Sequence, residues 1–234
     1  MAEIVIAQRF RGPSRSGNGG YVSGVLADLV DGPAEISLRA PPPLDTPMPL
    51  TAVGDGFEVR HEGRLVASVK PGSFSLDIPP CPDRAAAEAA TAKFYGHVHS
   101  PVPHCFVCGS MREPGDALRV FTGPVEGTRL VAAPWRPHGN FAGEDGMIAD
   151  RYVFAALDCP GAWAFHGSSQ GNMLLGTIVG EVTGKVAPEE DCTVVAWPIR
   201  EEGRKAFAGS AVFNAAGTVV ASAFATWIVV PDLS

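Results

Sequence analysis

One supersecondary order occurs twice in this chain, and it narrows the folds open to it. In the first half the glycine-rich stretch Ser16-Gly17-Asn18-Gly19-Gly20 opens the apolar run Tyr21 to Ala27, and a strand-like segment ending Gly63-Arg64-Leu65-Val66-Ala67-Ser68 follows. In the second half the apolar run Tyr152 to Asp158 is followed by strands that end Gly217-Thr218-Val219-Val220-Ala221-Ser222. A sheet curved round one helix has an open edge of unpaired backbone groups and cannot cover it alone. Two copies therefore imply a pseudo-dimer inside one chain, with the seam between them as the natural place for chemistry.

The 234 residues, 46% hydrophobic and 18% charged, suit a compact body with a sizeable core. No apolar run approaches the roughly 18 to 20 residues that span a bilayer. The N-terminus has no basic region ahead of its apolar stretch, so a cytoplasmic protein with no membrane span is expected. Five cysteines are too few and too scattered for a disulfide scaffold, which points to reduced thiols. A formal net charge of -7 argues against nucleic acid as a partner.

Along the chain, residues 3–9 read as a strand and 21–30 as a buried helix. A strand over 36–39 is followed by a proline-rich crossing from Pro41 to Pro49, then two strands around 57–60 and 65–69 joined by the turn at His61-Glu62-Gly63. The helix-forming stretch Asp83 to Lys93 lies between proline clusters and reads as a helical linker. Beyond it come strands near 118–121 and 128–133, a glycine-rich loop at 139–146, a helix running to Asp158, and strands through to Val230.

Two motifs resemble a known superfamily. Cys105-Phe106-Val107-Cys108-Gly109, followed by Pro114-Gly115-Asp116-Ala117-Leu118-Arg119-Val120, resembles the Cys-x-x-Cys-Gly opening of the hotdog domain in phenylacetate-pathway-type thioesterases. Gly19-Gly20-Tyr21-Val22-Ser23-Gly24-Val25-Leu26-Ala27 resembles the helix start of the N-terminal hotdog in double-hotdog enzymes of the acyl-CoA thioesterase II type. The resemblance implies an α+β double hotdog: an N-terminal hotdog over 1–80, a helical linker over 81–100 and a C-terminal hotdog over 101–234. It implies hydrolysis of acyl-CoA or of an acyl-phosphopantetheine carrier, without a cofactor, and a homodimer of double hotdogs as the assembly. The glutamine that the family carries in its last strand has no counterpart in Ala221-Ser222-Ala223-Phe224-Ala225-Thr226. An acyl-thioester or lipid binder without catalysis is therefore a second reading. A hotdog hydratase or dehydratase is a third, with His138-Gly139-Asn140-Phe141 only a faint echo of its signature.

Thioester cleavage needs donors at the carbonyl oxygen and a base opposite. A Gly-Gly pair at a helix N-terminus supplies free N–H groups and close approach, which nominates Gly19, Gly20 and Tyr21 for substrate binding. Asn18 stands at the N-cap position, where it either ties down the helix start or reaches a substrate carbonyl. Asp158, after an apolar run and before Cys159-Pro160, is the candidate base; it is equally the cap of a following short helix with Pro160 in its first turn. Ala155-Ala156-Leu157-Asp158 is similar to the family's helix end with a water-activating Asp. Thr177 is, by its place in the resemblance, a water-orienting hydroxyl. Asp28, near a Leu-Ala-Asp ending like that of single-hotdog thioesterases but one residue late, is the reserve carboxylate or a solvent-facing helix end; one residue turns a helix position by about 100°.

Arg9, Arg11 and Arg15 crowd the segment before the Asn18 turn and could meet the phosphates of coenzyme A or phosphopantetheine. Cys105 and Cys108, with His97, His99 and His104 nearby, could begin a zinc site. There is no second Cys-x-x-Cys, however, and His97-Val98-His99 lacks the usual separation, so packing thiols and no metal are expected.

Overall fold

The structure, a computed structural model, describes residues 2–165 and 172–231. In chain order the elements are β1 (Glu3–Ile4), α1 (Gly19–Ala27), β2 (Ala34–Leu38), β3 (Met48–Val53), β4 (Gly56–His61), β5 (Arg64–Pro71), α2 (Arg84–Ala92), β6 (Gly123–Pro124), β7 (Val131–Trp135), α3 (Asp150–Ala155), α4 (Asp158–Trp163), β8 (Asn172–Val182), β9 (Cys192–Glu202), β10 (Lys205–Phe213) and β11 (Val219–Val230). Among the described residues the strands form one eleven-stranded antiparallel sheet in the order β1-β3-β4-β5-β2-β8-β11-β10-β9-β7-β6. The first five and the last six come from opposite halves of the chain. They meet where β2 pairs β8, with Ile36 opposite Ile178 and Ser37 opposite Thr177.

The halves also meet through their helices. α1 packs on α3 and touches α4, and both glycines on that face are required. A Cβ on Gly20 would stand 2.3 Å from Asp158 Cβ, and one on Gly24 2.3 Å from the Arg151 carbonyl oxygen. Residues i and i+4 share a helix face, so these bare positions let two backbones cross at close range. Alternate residues of β9 and β10 point to opposite faces of the sheet. Val194 and Val212 join the main core under α1, α3 and α4, while Val195, Trp197 and Ala211 join a smaller core with Ala87 and Ala90 of α2. α2 thus covers the other face of the sheet as well as connecting the halves, and its N-cap Asp83 accepts from the Ala86 N–H at 2.8 Å.

Several expected elements differ, each for a local reason. The first strand is only Glu3–Ile4, because residues 8–10 wind into a 3-10 turn. The buried helix is Gly19–Ala27, starting earlier and ending earlier than 21–30. The proline-rich crossing hides β3, whose Pro49 is tolerated because its neighbour on that side, β1, is two residues long. No strand forms over 118–121: Arg119 has φ +58, and the Leu118 and Val120 N–H groups bond instead to the carbonyls of Phe106 and Val107. The second helix does not run to Asp158. It breaks at Ala156-Leu157, since a helix through this point would need an N–H at Pro160 for the Ala156 carbonyl, and the ring would clash with that oxygen. The Leu157 carbonyl accepts from Ser210 Oγ at 2.8 Å instead, and a new helix begins at Asp158. No helix among the described residues is long and apolar enough to cross a membrane.

Candidate functional site

The site is assembled at the crossing of α1 and α4. Asn18 has extended backbone and caps α1, its Oδ1 accepting from the Tyr21 N–H at 2.8 Å. With Oδ1 so engaged, the amide nitrogen points across the helix crossing and donates to Asp158 Oδ2 at 2.9 Å. The Gly20 N–H donates to the same oxygen at 2.9 Å. Two donors from one helix start therefore hold one oxygen of a carboxyl borne by the other half of the chain. The other oxygen, Oδ1, is buried and has no hydrogen-bond partner among the described residues.

Asp158 is 2% exposed. Burial pushes its carboxyl up to about 7, charge on Cys105 adds to the rise, and the bonds from Gly20, Asn18 and Cys159 oppose it. A carboxyl so placed can both take and return a proton near neutrality.

A cavity of about 500 Å³ opens on this carboxyl. Asn18, Gly19, Cys105, Asp158, Cys159 and Trp227 line it together with an apolar wall of Leu38, Met173, Leu175 and Ile228, and Arg15 and Arg39 stand exposed among its lining residues. Two donors among its lining residues are uncommitted. Among the described residues no acceptor meets the Gly19 N–H, the first of α1, and the buried Trp227 indole N–H has no partner. A helix N-terminus favours negative charge at such a point.

Of the residues singled out in the sequence, Asn18, Gly19, Asp158 and Arg15 line the cavity and Gly20 bonds to Asp158 from behind. The rest stand elsewhere. The Tyr21 N–H is spent on the Asn18 cap, and its ring stacks on Phe10 at 3.8 Å in the core. Thr177 faces Ser37 across the β2–β8 seam, oxygen to oxygen at 3.4 Å, and does not line the cavity. Asp28 closes the far end of α1, where Arg151 pairs with it at 3.0 Å; eight residues of helix put it about 12 Å from Gly20. Arg9 donates to the Gly115 and Asp116 carbonyls and lies over the Phe10 and Phe141 rings. Arg11 lies outside the cavity lining. Sequence reasoning missed Arg39, Leu175, Trp227 and Cys159, which reach the cavity through strand register and the helix break. The only local signal was that Cys159 adjoins Asp158.

The thiols also regroup. Sulfurs of Cys105, Cys108 and Cys159 all lie within 4.8 Å of one another, with Cys105 and Cys159 3.6 Å apart. None of His97, His99 and His104 joins them: His97 packs edge-on to Phe94 and Phe121, and the His104 carbonyl accepts from Arg112.

No protein-family model matches the chain, and no curated protein matches it. Solved structures do. The tesB protein MAP1729c of Mycobacterium avium subsp. paratuberculosis is 15% identical, over 94% of this chain and 89% of that one, with a TM-score of 0.60. A Novosphingobium aromaticivorans protein that carries a provisional thioesterase name is 14% identical, over 97% of this chain and 94% of that one, with a TM-score of 0.61. At these identities the likeness is one of fold: this chain shares a mixed helix and antiparallel-sheet fold with both structures over nearly its whole length.

Proposed function

We propose that the protein is a double hotdog that hydrolyses acyl thioesters, with Asp158 as general base. The observation that carries this reading is the asymmetry of one carboxyl. Its Oδ2 is held by Asn18 and Gly20, while its Oδ1 is left free, buried, beside an apolar cavity. Water placed against Oδ1 gives up a proton as its oxygen attacks the thioester carbonyl carbon. The oxyanion that forms is met by the Gly19 N–H at the positive end of α1, with the Trp227 N–H as the second uncommitted donor. Collapse of the intermediate breaks the C–S bond, and Asp158 returns the proton to the departing thiolate. The two free donors serve where the family's glutamine is missing. Leu38, Met173, Leu175 and Ile228 offer the acyl chain an apolar wall, and Arg15 and Arg39 suit the phosphates of coenzyme A or of a phosphopantetheine carrier.

A panel of acyl-CoAs of graded chain length, assayed for free thiol, tests the reading. Hydrolysis of at least one, saturating with concentration, is the expected result. A rise in melting temperature with these ligands but no thiol release would make the protein a binder.

A further inference from the structure

We propose that Cys105, Cys108 and Cys159 form a metal site that holds one zinc-type divalent ion beside Asp158. Cys105 and Cys108 share one loop and Cys159 lies 54 residues beyond Cys105, yet all three sulfurs are buried and mutually within 4.8 Å. Zinc–sulfur bonds of about 2.3 Å in a tetrahedron place sulfurs about 3.8 Å apart, so the observed 3.6 Å between Cys105 and Cys159 already suits a shared ion. All five cysteines are free thiols, so no disulfide accounts for the approach.

Buried thiols can also pack as small apolar groups, and the surroundings of Cys105 speak against that here. Its sulfur accepts from the Asn18 amide nitrogen at 3.5 Å and lies 3.6 Å from the Cys159 sulfur. The loop that carries it is wound tightly. The Gly109 N–H bonds back to the Cys105 carbonyl at 2.9 Å, and a Cβ on Gly109 would stand 2.5 Å from that oxygen, so only glycine fits. A tight loop and an outer amide contact fix the sulfur in place, as outer contacts do for metal-ligating side chains.

A second observation points the same way. Asp158 Oδ1 is a buried carboxyl oxygen with no partner, and its sister Oδ2 lies 3.7 Å from the Cys159 sulfur. Three sulfurs and a carboxyl grouped without any cation among the described residues make a site that a divalent ion would neutralise. Sulfur donors in a compact tetrahedral set select zinc over hard cations. Cys105 and Cys159 line the cavity and Cys108 does not, which leaves the fourth position open toward the cavity for a water, with the Asp158 carboxyl beside it. The ion would tie the Cys-x-x-Cys-Gly loop to the first turn of α4, and the inference stands whether or not the cavity hydrolyses thioesters.

The test is metal content on the full chain without a histidine tag, purified under reduction and then reconstituted with Zn²⁺ and dialysed. About one zinc per chain is expected. Replacement by Co²⁺ should give sulfur-to-cobalt charge-transfer absorption and the strong visible bands of a tetrahedral site. Cys159→Ser should lose both, while Cys81→Ser, remote from the cluster, should lose neither. Should Cys159→Ser fail to fold, thiol titration of the unaltered folded protein decides: three thiols should be protected with Zn²⁺ bound and become reactive on chelation. Less than about a tenth of an equivalent after reconstitution, or an unchanged cobalt spectrum in folded Cys159→Ser, would overturn the site.

Discussion

Asn18 and Asp158, 140 positions apart in the chain, are joined by a 2.9 Å hydrogen bond from the Asn18 amide nitrogen to the carboxyl Oδ2. The same side chain caps α1 through its other atom, so one residue couples a helix start in the first half to the carboxyl of the second. Asn18→Ala removes the cap, at a cost of about 1 kcal/mol, and one of the two donors on Oδ2. A hydrogen bond to a charged group is worth about 1.5 to 3 kcal/mol, so kcat should fall roughly tenfold to a hundredfold. Asn18→Asp keeps the cap but faces one carboxylate with another, and should be the slower variant in steady-state thiol release. Equal rates for the two would mean that the amide donor is immaterial.

The bare face of α1 predicts a packing effect. Gly20→Ala places a methyl group 2.3 Å from Asp158 Cβ and 2.8 Å from the Ala155 carbonyl oxygen. Overpacking of this kind costs about 1 to 3 kcal/mol, and the denaturant midpoint should drop accordingly. Gly139→Ala is the control, because the nearest atom to its Cβ is 4.0 Å away. Its stability should hold or rise slightly.

Arg112 organises the loop that carries the cysteines. Its buried guanidinium donates to the carbonyls of Arg9, His104 and Asp116, each at 3.0 Å, and to the Asp116 carboxyl at 2.5 Å. Arg112→Met strands those acceptors and should cost about 3 kcal/mol or more. The Arg112 hydrogen bond also holds the Asp116 carboxyl below the ordinary carboxylate range. A carboxyl lowered by folding adds stability that is present above its unfolded pKa of about 3.9 and is lost as pH falls through the folded value. Acid unfolding followed below about pH 4 should therefore be shallower in Arg112→Met than in the parent.

The helix start at Asn18-Gly19-Gly20 was readable because capping and glycine chemistry are local. A short helix starting near Asp158 was readable too, since Pro160 alone stops a helix from running through Ala156, but Leu157 and not Asp158 takes the cap position, and Asp158 stands one residue inside the helix. What the sequence hid depends on register and topology. Thr177 and Trp227 lie on adjacent strands, yet a bulge at Thr226/Trp227 helps decide that only the second reaches the cavity. Met48–Val53 was concealed by Pro49, which a strand beside a two-residue edge can carry. Cys159 joins Cys105 and Cys108 from 54 residues away in the chain, and spacing rules for zinc motifs do not see such a pairing. Among the aromatics, Phe94, Trp135 and Phe141 proved to be core, a distinction that composition cannot draw.

Arg15 and Arg39 are exposed and line the cavity beside its apolar wall. If they meet substrate phosphates, Arg15→Glu with Arg39→Glu should raise KM for acyl-CoA about tenfold or more and leave kcat nearly unchanged, since uniform binding is lost. The KM of the parent should also rise with salt and that of the double variant should not. A fall in kcat at constant KM would place the substrate phosphates elsewhere.

The most direct test of the account is Asp158→Asn, measured as steady-state thiol release from the best acyl-CoA. The amide keeps the shape of the side chain but cannot take a proton from water. General-base catalysis contributes about 10² to 10⁴ in rate, so kcat should fall by that factor with KM nearly unchanged and the fold intact by circular dichroism. A folded Asp158→Asn that hydrolyses acyl-CoA at the parent rate would reduce Asp158 to the first residue of a helix and contradict the proposed mechanism.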